Sequence, residues 1–332
     1  MRVLITGAAG FIGHHVLSHL MQEHPSWRFT VIDRLDVSGN YNRLAEVGLP
    51  DPRVTIKYHD LRAPISDQLM GQLGEHEYIV HMAAATHVDR SIDDPLDFVY
   101  NNVVATCNVL NYARRVGCDR LVNFGTDEVF GPAPPGVAYR EDDRYRSGNP
   151  YAATKAGAEE LGVAFHNTYK LPVITTHTMN VIGERQHPEK FLPMTVAKVM
   201  RGEVVTIHAD ASRRNPGSRF YIHARDVARA IDLLLRRGVP GEKYNVVGAT
   251  ETDNLRLARI VAGALGRNLK FELVDFHSSR PGHDLRYALD GGKLRGLGWG
   301  CSAYIDEVIA EVALWYEANP RWLVDGLSKV AA

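Results

Sequence analysis

The sequence has little cysteine and no long apolar run, and each of these absences excludes a class of protein. The three cysteines, Cys107, Cys118 and Cys301, are widely spaced, which argues against a disulfide framework and favours a reducing compartment. No signal peptide is visible, and no run of about 18 apolar residues predicts a membrane span. We therefore expect a cytoplasmic protein with no membrane partner, and no group of residues has the spacing of a metal site.

An excess of charge of one sign is also absent. The 38 Lys and Arg residues offset 39 Asp and Glu residues, which gives a formal net charge of -1. This balance argues against nucleic acid as a partner but is compatible with local positive charge for a phosphate-bearing ligand. Hydrophobic residues make up 45% of the 332 residues, as is usual for a soluble globular protein.

In the first half, short apolar runs alternate with helical patterns, which is typical of βαβ units. After about residue 180, shorter segments such as Lys243–Val246 alternate with loops and helices and indicate a smaller α+β lobe. We predict an α/β fold in which residues 1–180 form a Rossmann-type doubly wound parallel sheet and 181–332 mainly form the lobe, with some segments returning to the sheet. The predicted strands are Arg2–Ile5, Phe29–Ile32, Val54–Tyr58, Tyr78–His81, Arg120–Phe124 and Val173–His177. The predicted helices are Phe11–Glu23, Ser66–Leu73, Pro95–Val116, Tyr151–Tyr169, Ala224–Arg236, Asp253–Leu265 and Tyr304–Glu317, and Pro132–Asn149 is predicted to be a long surface loop.

The segment Thr6–Gly13 (TGAAGFIG) predicts a dinucleotide site, because it follows the first strand and opens a helix. Its glycines permit a sharp turn and a close approach of the backbone to a pyrophosphate at the helix N-terminus. Asp33, at the end of the second strand, can hold ribose hydroxyls and would repel a 2′-phosphate, which favours NAD over NADP. Arg34 can weaken that preference, and Asp60 can contact the adenine.

Two further groups of residues indicate proton-transfer chemistry. Tyr151 and Lys155 lie four residues apart, hence on one face of a helix, and a Lys ammonium lowers the pKa of a neighbouring phenol. Thr126, Asp127 and Glu128 follow an apolar strand, so they should lie over the cofactor. Two neighbouring carboxyls in different environments can act as one acid and one base.

Together these motifs resemble the extended short-chain dehydrogenase/reductase family, and within it the nucleotide-sugar 4,6-dehydratase branch. The glycine turn and the Tyr/Lys pair are common to the whole superfamily, whereas the TDE triplet, the PEK segment and RPGHD are specific to the dehydratases. The segments that carry the resemblance are Thr6–Gly13, Val31–Asn40, His81–Ile92, Gly125–Gly131, Asn149–Ala156, Met179–Pro193 and Arg280–Asp290.

The resemblance implies an NAD-dependent dehydration of a nucleotide-diphosphate hexose, with dTDP-glucose as the first candidate. Tyr151 would take the C4 hydroxyl proton during oxidation, Glu128 would remove the C5 proton, Asp127 would protonate the C6 hydroxyl, and hydride would return to C6. The implied catalytic residues are Thr126, Asp127, Glu128, Tyr151 and Lys155. The implied cofactor-binding residues are Gly7, Gly10, Phe11, Ile12, Gly13, Asp33, Arg34, Asn40, Asp60, Leu61, Ala83, Ala84, Asn102, Tyr151 and Lys155. The implied substrate-binding residues are His87, Thr126, Asn180, Lys190, Phe191, Arg219, Asn254, Arg280, His283 and Tyr287.

The chain departs from the family pattern at three places near the expected substrate. Ala85 stands where the family usually carries Glu, the loop His208–Ser218 is longer than usual, and Arg219–His223 replaces an Arg-Asp-Trp run. Thymidine, uridine, cytidine and guanosine diphosphate sugars therefore all remain open as substrates.

Two other functions remain alternatives at this point. One is a nucleotide-sugar 4-epimerase or UDP-glucuronate decarboxylase of the same family, which usually lacks the Asp of the triplet. The other is a non-catalytic regulator that only binds NAD. The resemblance also implies a homodimer formed through the helices Pro95–Val116 and Tyr151–Tyr169.

Overall fold

The structure, a computed structural model, describes residues 1–36, 38–276 and 285–324. Arg280 and His283, both predicted to bind substrate, lie outside the described residues. The strands are β1 (Arg2–Thr6), β2 (Arg28–Asp33), β3 (Val54–Tyr58), β4 (Tyr78–His81), β5 (Arg120–Thr126), β6 (Val173–Thr178), β7 (Val181–Ile182), β8 (Val204–Ala209), β9 (Ser218–Arg219), β10 (Ile222–His223), β11 (Lys243–Val246), β12 (Thr252–Asp253) and β13 (Lys270–Asp275). The α-helices are α1 (Phe11–Glu23), α2 (Tyr41–Glu46), α3 (Asp67–Leu73), α4 (Val88–Asp93), α5 (Pro95–Phe98), α6 (Ala105–Val116), α7 (Pro150–Tyr169), α8 (Phe191–Arg201), α9 (Ala224–Arg237), α10 (Asn254–Ala264), α11 (Gly292–Gly296) and α12 (Ile305–Ala318). A π-helix spans Val99–Val104, and 3-10 turns span Asp127–Phe130 and Pro320–Leu323.

Seven parallel strands form the central sheet in the order β11-β6-β5-β4-β1-β2-β3. The chain runs outward from β1 through β2 and β3 and then crosses back to β4 on the other side of β1. This reversal is the topological switch of a doubly wound sheet, outside which ligands bind in open α/β folds. The predicted Rossmann-type α/β fold is thus confirmed.

Burial on both faces explains the apolar strand sequences. All residues of β4 and β6 are buried, as expected for central parallel strands covered by helices on both sides. On one face, α1 and α9 pack against the sheet through Leu17, Val227 and Ile231. On the other face, Val109 and Leu110 of α6 do the same.

The chain returns to the central sheet after residue 180. The sequence pattern groups Lys243–Val246 with the lobe, but this segment is β11 and pairs in parallel with β6. Helix α9, just before it, packs in the core of the sheet through Ile231. The lobe is therefore interrupted, and the assignment of this one strand to it is wrong.

The lobe itself combines small sheets with three packed helices. Strands β8 and β13 pair in parallel, and β9 pairs antiparallel with β12. Helices α8, α10 and α12 bury Val196, Leu257 and Ile309 in one cluster. Among the described residues, no helix combines the length and the apolar character needed to cross a bilayer.

Two predicted elements differ from the observed ones. The predicted helix Pro95–Val116 is divided into α5, the π-helix and α6. The predicted surface loop Pro132–Asn149 is anchored in the interior, since Glu141 is buried and accepts a hydrogen bond from the Asn245 backbone N–H at 3.0 Å. Tyr145 in the same loop packs edge-on against Phe130 with ring centroids 5.2 Å apart.

Candidate active site

A crevice runs along the carboxyl edge of the central sheet. Its walls come from the segments that follow β1 to β6, because the ends of parallel strands meet at the same edge. The crevice brings the glycine turn and Asp33 together with Thr126–Glu128, Tyr151 and Lys155, which are far apart in the sequence. The candidate cofactor and catalytic residues thus share one site.

The glycine turn after β1 leaves room only for backbone. Gly7 has φ +74°, and a Cβ there would lie 2.8 Å from the backbone of Ala83. A Cβ on Gly13 would overlap the carbonyl oxygen of Gly7. Helix α1 begins at Phe11 without a side-chain cap, so its first N–H groups face the crevice as an anion-binding end.

Asp33 ends β2 and is held by two backbone groups. Its Oδ2 accepts a hydrogen bond from the Ala9 N–H at 3.0 Å, and its Oδ1 accepts one from the Leu35 N–H at 2.9 Å. Burial raises the pKa of this carboxyl, and the two N–H groups act in the opposite direction. The carboxyl is therefore fixed in the wall of the crevice where a ribose would be bound.

Arg34 is balanced by acidic neighbours. Its guanidinium forms an ion pair with Asp36 and lies 3.4 Å from Asp60. Asp60 also pairs with Arg62 at 2.6 Å. These contacts reduce the positive charge that Arg34 offers to a 2′-phosphate, which agrees with the predicted preference for NAD.

Helix α7 positions the Tyr/Lys pair. The side chain of Asn149 caps its N-terminus by accepting a hydrogen bond from Ala152 N–H at 2.8 Å, and Pro150 occupies the first turn. Tyr151 and Lys155 follow on successive turns and are both buried. Burial lowers the pKa of Lys155 to about 8.

The pKa of Tyr151 is raised, not lowered as the sequence analysis predicts. Burial is the main cause, and the charge of Glu128 adds to it, whereas the hydrogen bond with Thr126 acts in the opposite direction. The Lys155 ammonium donates a hydrogen bond to the carbonyl of Phe124 at 2.5 Å. Desolvation therefore outweighs the expected effect of the Lys, and the predicted direction is wrong for this arrangement.

Asp127 and Glu128 have different environments although they are neighbours. Asp127 is buried, its Oδ1 accepts a hydrogen bond from the Thr126 hydroxyl at 3.2 Å, and its Oδ2 has no hydrogen-bond partner among the described residues. Burial, and then the charge of Glu128, raises the pKa of Asp127 to about 7, while Arg219 opposes this rise. Glu128 is partly exposed and accepts a hydrogen bond from Asn149 Nδ2 at 3.2 Å.

Glu189 organises a second charged group in the crevice, which the sequence analysis missed. Its carboxylate lies 3.1 Å from His87 Nε2, 3.2 Å from Arg90 Nη2 and 3.7 Å from His187 Nδ1. Burial, and then the charge of Lys190, lowers the pKa of His87. The sequence could have indicated this group by position, because Arg90 and Glu189 lie inside two of the segments that carry the family resemblance, His81–Ile92 and Met179–Pro193.

Most of the predicted cofactor-binding residues line the crevice, but two do not. Asn40 caps α2, with its Oδ1 accepting a hydrogen bond from Asn42 N–H at 2.9 Å. Asn102 bonds to both backbone groups of Ala85 and to the Thr154 hydroxyl, so it supports the wall. A direct cofactor contact of these two residues stays a prediction. The residues that line the crevice are Gly7, Gly10, Phe11, Ile12, Gly13, Asp33, Arg34, Asp60, Leu61, Ala83, Ala84, Tyr151 and Lys155.

The predicted substrate-binding residues are divided between the crevice and the lobe. His87, Thr126, Asn180 and Lys190 line the crevice. Of the other described members of the set, Phe191, Arg219, Asn254 and Tyr287 do not line it. Arg219 lies 4.7 Å above the ring of Tyr287, and Asn254 accepts a hydrogen bond from Tyr221 at 2.6 Å. Their substrate contacts stay predictions.

Comparisons with known proteins agree over nearly the whole chain. The profile of the NAD dependent epimerase/dehydratase family matches residues 3–247. A dTDP-glucose 4,6-dehydratase of Actinoplanes sp. is 36% identical over 330 residues, which cover 97% of this chain and 99% of that protein. The trifunctional UDP-glucose 4,6-dehydratase/UDP-4-keto-6-deoxy-D-glucose 3,5-epimerase/UDP-4-keto-L-rhamnose-reductase RHM2 of Arabidopsis thaliana is 35% identical over 97% of this chain and 48% of that protein.

A solved structure has the same fold. The dTDP-glucose 4,6-dehydratase DesIV from Streptomyces venezuelae, with NAD and TYD bound, superimposes with a TM-score of 0.88. It is 36% identical in sequence, and the match covers 97% of this chain and 98% of that one. The likeness therefore includes both the central sheet and the lobe.

Proposed function

The chain belongs to the NAD dependent epimerase/dehydratase family, and we propose that it is an NAD-dependent dehydratase that converts dTDP-glucose to dTDP-4-keto-6-deoxyglucose and water. The observation that carries the proposal is the pair of adjacent carboxyls in the crevice, Asp127 and Glu128. Burial makes Asp127 a proton donor near neutral pH, as elimination of water requires. The similarity to dTDP-glucose 4,6-dehydratases over the whole chain supports it.

The crevice fits NAD. The glycine turn and the uncapped start of α1 offer a cradle for the pyrophosphate, and Asp33 stands where the adenosine ribose would lie. NAD, when bound, supplies a hydride acceptor for C4, a hydride donor for C6 and a positive charge. The protein supplies position and proton transfer.

Tyr151 takes the C4 hydroxyl proton. Its raised pKa means that the phenolate forms only where positive charge stands nearby, and Lys155 lies one helical turn away. The Thr126 hydroxyl is hydrogen bonded to Tyr151 and so fixes the direction of the phenol.

Glu128 and Asp127 then carry out the elimination. A ketone at C4 acidifies the C5 hydrogen, which the Glu128 carboxylate removes. Asp127 gives its proton to the C6 hydroxyl, which leaves as water. The contact between Asn149 and Glu128 keeps the base at the start of α7, beside Tyr151.

The test is turnover of dTDP-glucose by the purified protein. We expect bound NAD, formation of the 4-keto-6-deoxy sugar without a net build-up of NADH, and uptake of deuterium at C5 in heavy water. UDP-, CDP- and GDP-glucose are assayed in parallel, because the altered lobe segments leave the base open. Products limited to 4-epimers, or NAD binding without any turnover, would overturn the proposal.

A variant of the base separates oxidation from elimination. Glu128→Gln should still oxidise C4, seen as transient reduced nicotinamide absorbance, but should lose water on the order of a hundredfold more slowly. Glu75→Gln, an exposed glutamate outside the crevice, is the matched control and should behave as the wild type. Unchanged water loss in Glu128→Gln would remove Glu128 from its role.

We further propose a cytoplasmic homodimer in which residues 1–180 provide the NAD site and catalytic residues and 181–332 mainly hold the nucleotide sugar. Exposed apolar side chains on α5 and the π-helix support the dimer: Leu96, Val99 and Tyr100 are 59%, 37% and 47% exposed. The free cysteines among the described residues support a reducing compartment. Light scattering on the wild type and on Tyr100→Glu tests the dimer, which the variant should weaken.

A further inference from the structure

We propose that Glu159, a buried carboxylate behind the crevice, is a positioning residue that holds the Lys155 ammonium charged and in place against the Phe124 carbonyl. This inference rests on the proposed function for its effect on turnover, but not for its effect on Lys155 itself. Glu159 is fully buried and lies one helical turn after Lys155 on α7. Burying a carboxylate without partners costs folding free energy, so the groups around Glu159 must compensate for its burial.

Two side chains hold one oxygen of Glu159. The Tyr145 hydroxyl donates to Oε2 at 2.6 Å, and His177 Nε2 lies 3.0 Å from the same oxygen. A hydroxyl-to-oxygen distance of 2.6 Å is typical of a bond to an ionised carboxylate. Lys243 donates in turn to the Tyr145 oxygen at 2.8 Å, which polarises that hydroxyl toward Glu159.

The proton on His177 follows from its other neighbour. Asn245 donates through Nδ2 to the carbonyls of Tyr139 and Asp290, so its Oδ1 must face His177 Nδ1, 2.8 Å away, as an acceptor. Nδ1 therefore carries a proton. His177 Nε2 lies 3.0 Å from both the Tyr145 hydroxyl and Glu159 Oε2, so the ring links Asn245 to this pair.

The second oxygen of Glu159 is directed toward the strand end that holds Lys155. Oε1 has no hydrogen-bond partner among the described residues. A Cβ on Gly125 would overlap it, so Oε1 lies against the backbone directly after Phe124. The carbonyl of Phe124 accepts the hydrogen bond from the Lys155 ammonium. A glycine at position 125 thus leaves room for Oε1 against the backbone, next to the carbonyl that holds Lys155.

The other groups around Lys155 do not replace this charge. Burial, and then Lys155, lowers the pKa of His81 on β4 to about 3, so His81 is neutral. Burial raises the pKa of Tyr151, which disfavours a negative charge on the phenol beside Lys155. Among the described residues, Glu159 is the group that favours the charged form of Lys155 against burial. Loss of Glu159 should therefore lower the pH at which Lys155 releases its proton.

The experiment is a pH titration of Lys155 in the NAD-bound protein, followed by NMR of isotopically labelled lysine and assigned with Lys155→Arg. In the wild type the midpoint should lie below the usual range of a lysine, because burial lowers the pKa of Lys155. In Glu159→Gln it should fall by about one unit or more, the usual effect of losing a nearby opposite charge. Glu75→Gln, an exposed glutamate outside the crevice and outside this network, should leave it unchanged.

Two additions keep the result decisive. Tyr145→Phe, which removes one donor to Glu159, should move the midpoint in the same direction by a smaller amount, and it serves if Glu159→Gln does not fold. The alkaline limb of kcat with dTDP-glucose, which in the wild type reports loss of the Asp127 proton as well as that of Lys155, should also move to lower pH in these variants. A wild-type midpoint in both variants would overturn the inference, whereas absence of dehydration in the wild type would overturn only the proposed function.

Discussion

At the scale of single residues, the proposed role of Asp127 as the acid makes its protonation state decisive for the rate of dehydration. Its pKa is raised to about 7, first by burial and then by Glu128, so the protonated acid is lost as pH rises through that value. We expect kcat for dTDP-glucose dehydration to fall on the alkaline side of about pH 7. The measurement is a pH profile of kcat for the wild type, and a profile that stays flat up to about pH 9 would contradict the assignment.

The same ionisation should weaken the fold. A free Asp titrates near 3.9, so the folded protein takes up a proton between about pH 4 and 7 and loses stability as pH rises through this window. The unfolding free energy of Asp127→Asn should therefore exceed that of the wild type by roughly 1–4 kcal/mol at about pH 8. At about pH 4 the gain should be small. Thermal unfolding at both pH values measures the difference. Asp93→Asn, an exposed aspartate at the end of α4, should show no such pH-dependent gain.

The sequence could predict which candidate catalytic side chains share the crevice but not their electrostatics. Asp127, Glu128, Tyr151 and Lys155 lie in short motifs whose spacing and strand positions place them at one edge of the sheet. The direction of the Tyr151 pKa shift depends on how fully the phenol is desolvated, which a motif does not state. The partners of Glu159, Tyr145 and His177, come from two other segments, so only the folded chain could reveal them.

At the scale of elements, the cap of α7 links stability to catalysis. Asn149 both caps the helix and donates to Glu128. Asn149→Ala should cost about 1 kcal/mol of unfolding free energy and also lower kcat several-fold, because Glu128, the proposed base, loses its partner. Ser66→Ala removes the cap of α3, where Ser66 accepts from Leu69 N–H at 3.2 Å, and should cost similar stability with unchanged kcat. Denaturant unfolding and kcat are measured on both; equal kcat losses would contradict the link.

Element types were more predictable than hydrogen-bond register. The bounds of α1 are predicted to the residue, since an apolar helical pattern follows directly after the glycine turn. The π-helix Val99–Val104 was missed, because its sequence favours a helix of any kind. Its register turns Asn102 inward, where the amide bonds both backbone groups of Ala85. That long-range contact, and not local propensity, is what distinguishes the segment.

At the scale of the whole molecule, the alternation of strands and helices predicted the doubly wound sheet but not the path of the chain after residue 180. Strand β11 is short, and nothing in its pattern states that β6 is its partner. The amphipathic pattern of α9 does not indicate whether the helix packs on the central sheet or in the lobe. Its packing against α1 in the core of the sheet settles that question.

Arg286 joins the lobe to the loop Pro132–Asn149, which follows the turn that carries Asp127 and Glu128. It forms a two-pronged ion pair with Glu251 at 2.8 and 3.1 Å and donates to the carbonyls of Pro134 and Val137, both at 2.8 Å. These carbonyls belong to the loop that begins just after the turn carrying Asp127 and Glu128. The orientation of the acid and base should therefore depend on a contact made from the lobe.

Arg286→Met should lower kcat/KM for dTDP-glucose about tenfold and cost roughly 1–3 kcal/mol of stability, since Glu251 and the loop carbonyls lose a charged donor. NAD affinity should stay at the wild-type value, because the glycine turn and Asp33 belong to the sheet and do not contact this pair. Arg295→Met, which breaks the more exposed pair with Asp290 at 3.3 Å, should cost less than about 1 kcal/mol and leave kcat/KM unchanged. Calorimetric NAD binding and steady-state kinetics on both variants distinguish the effects. Loss of NAD affinity in Arg286→Met, or kinetics equal to those of Arg295→Met, would show that the lobe does not position the loop Pro132–Asn149 through this residue.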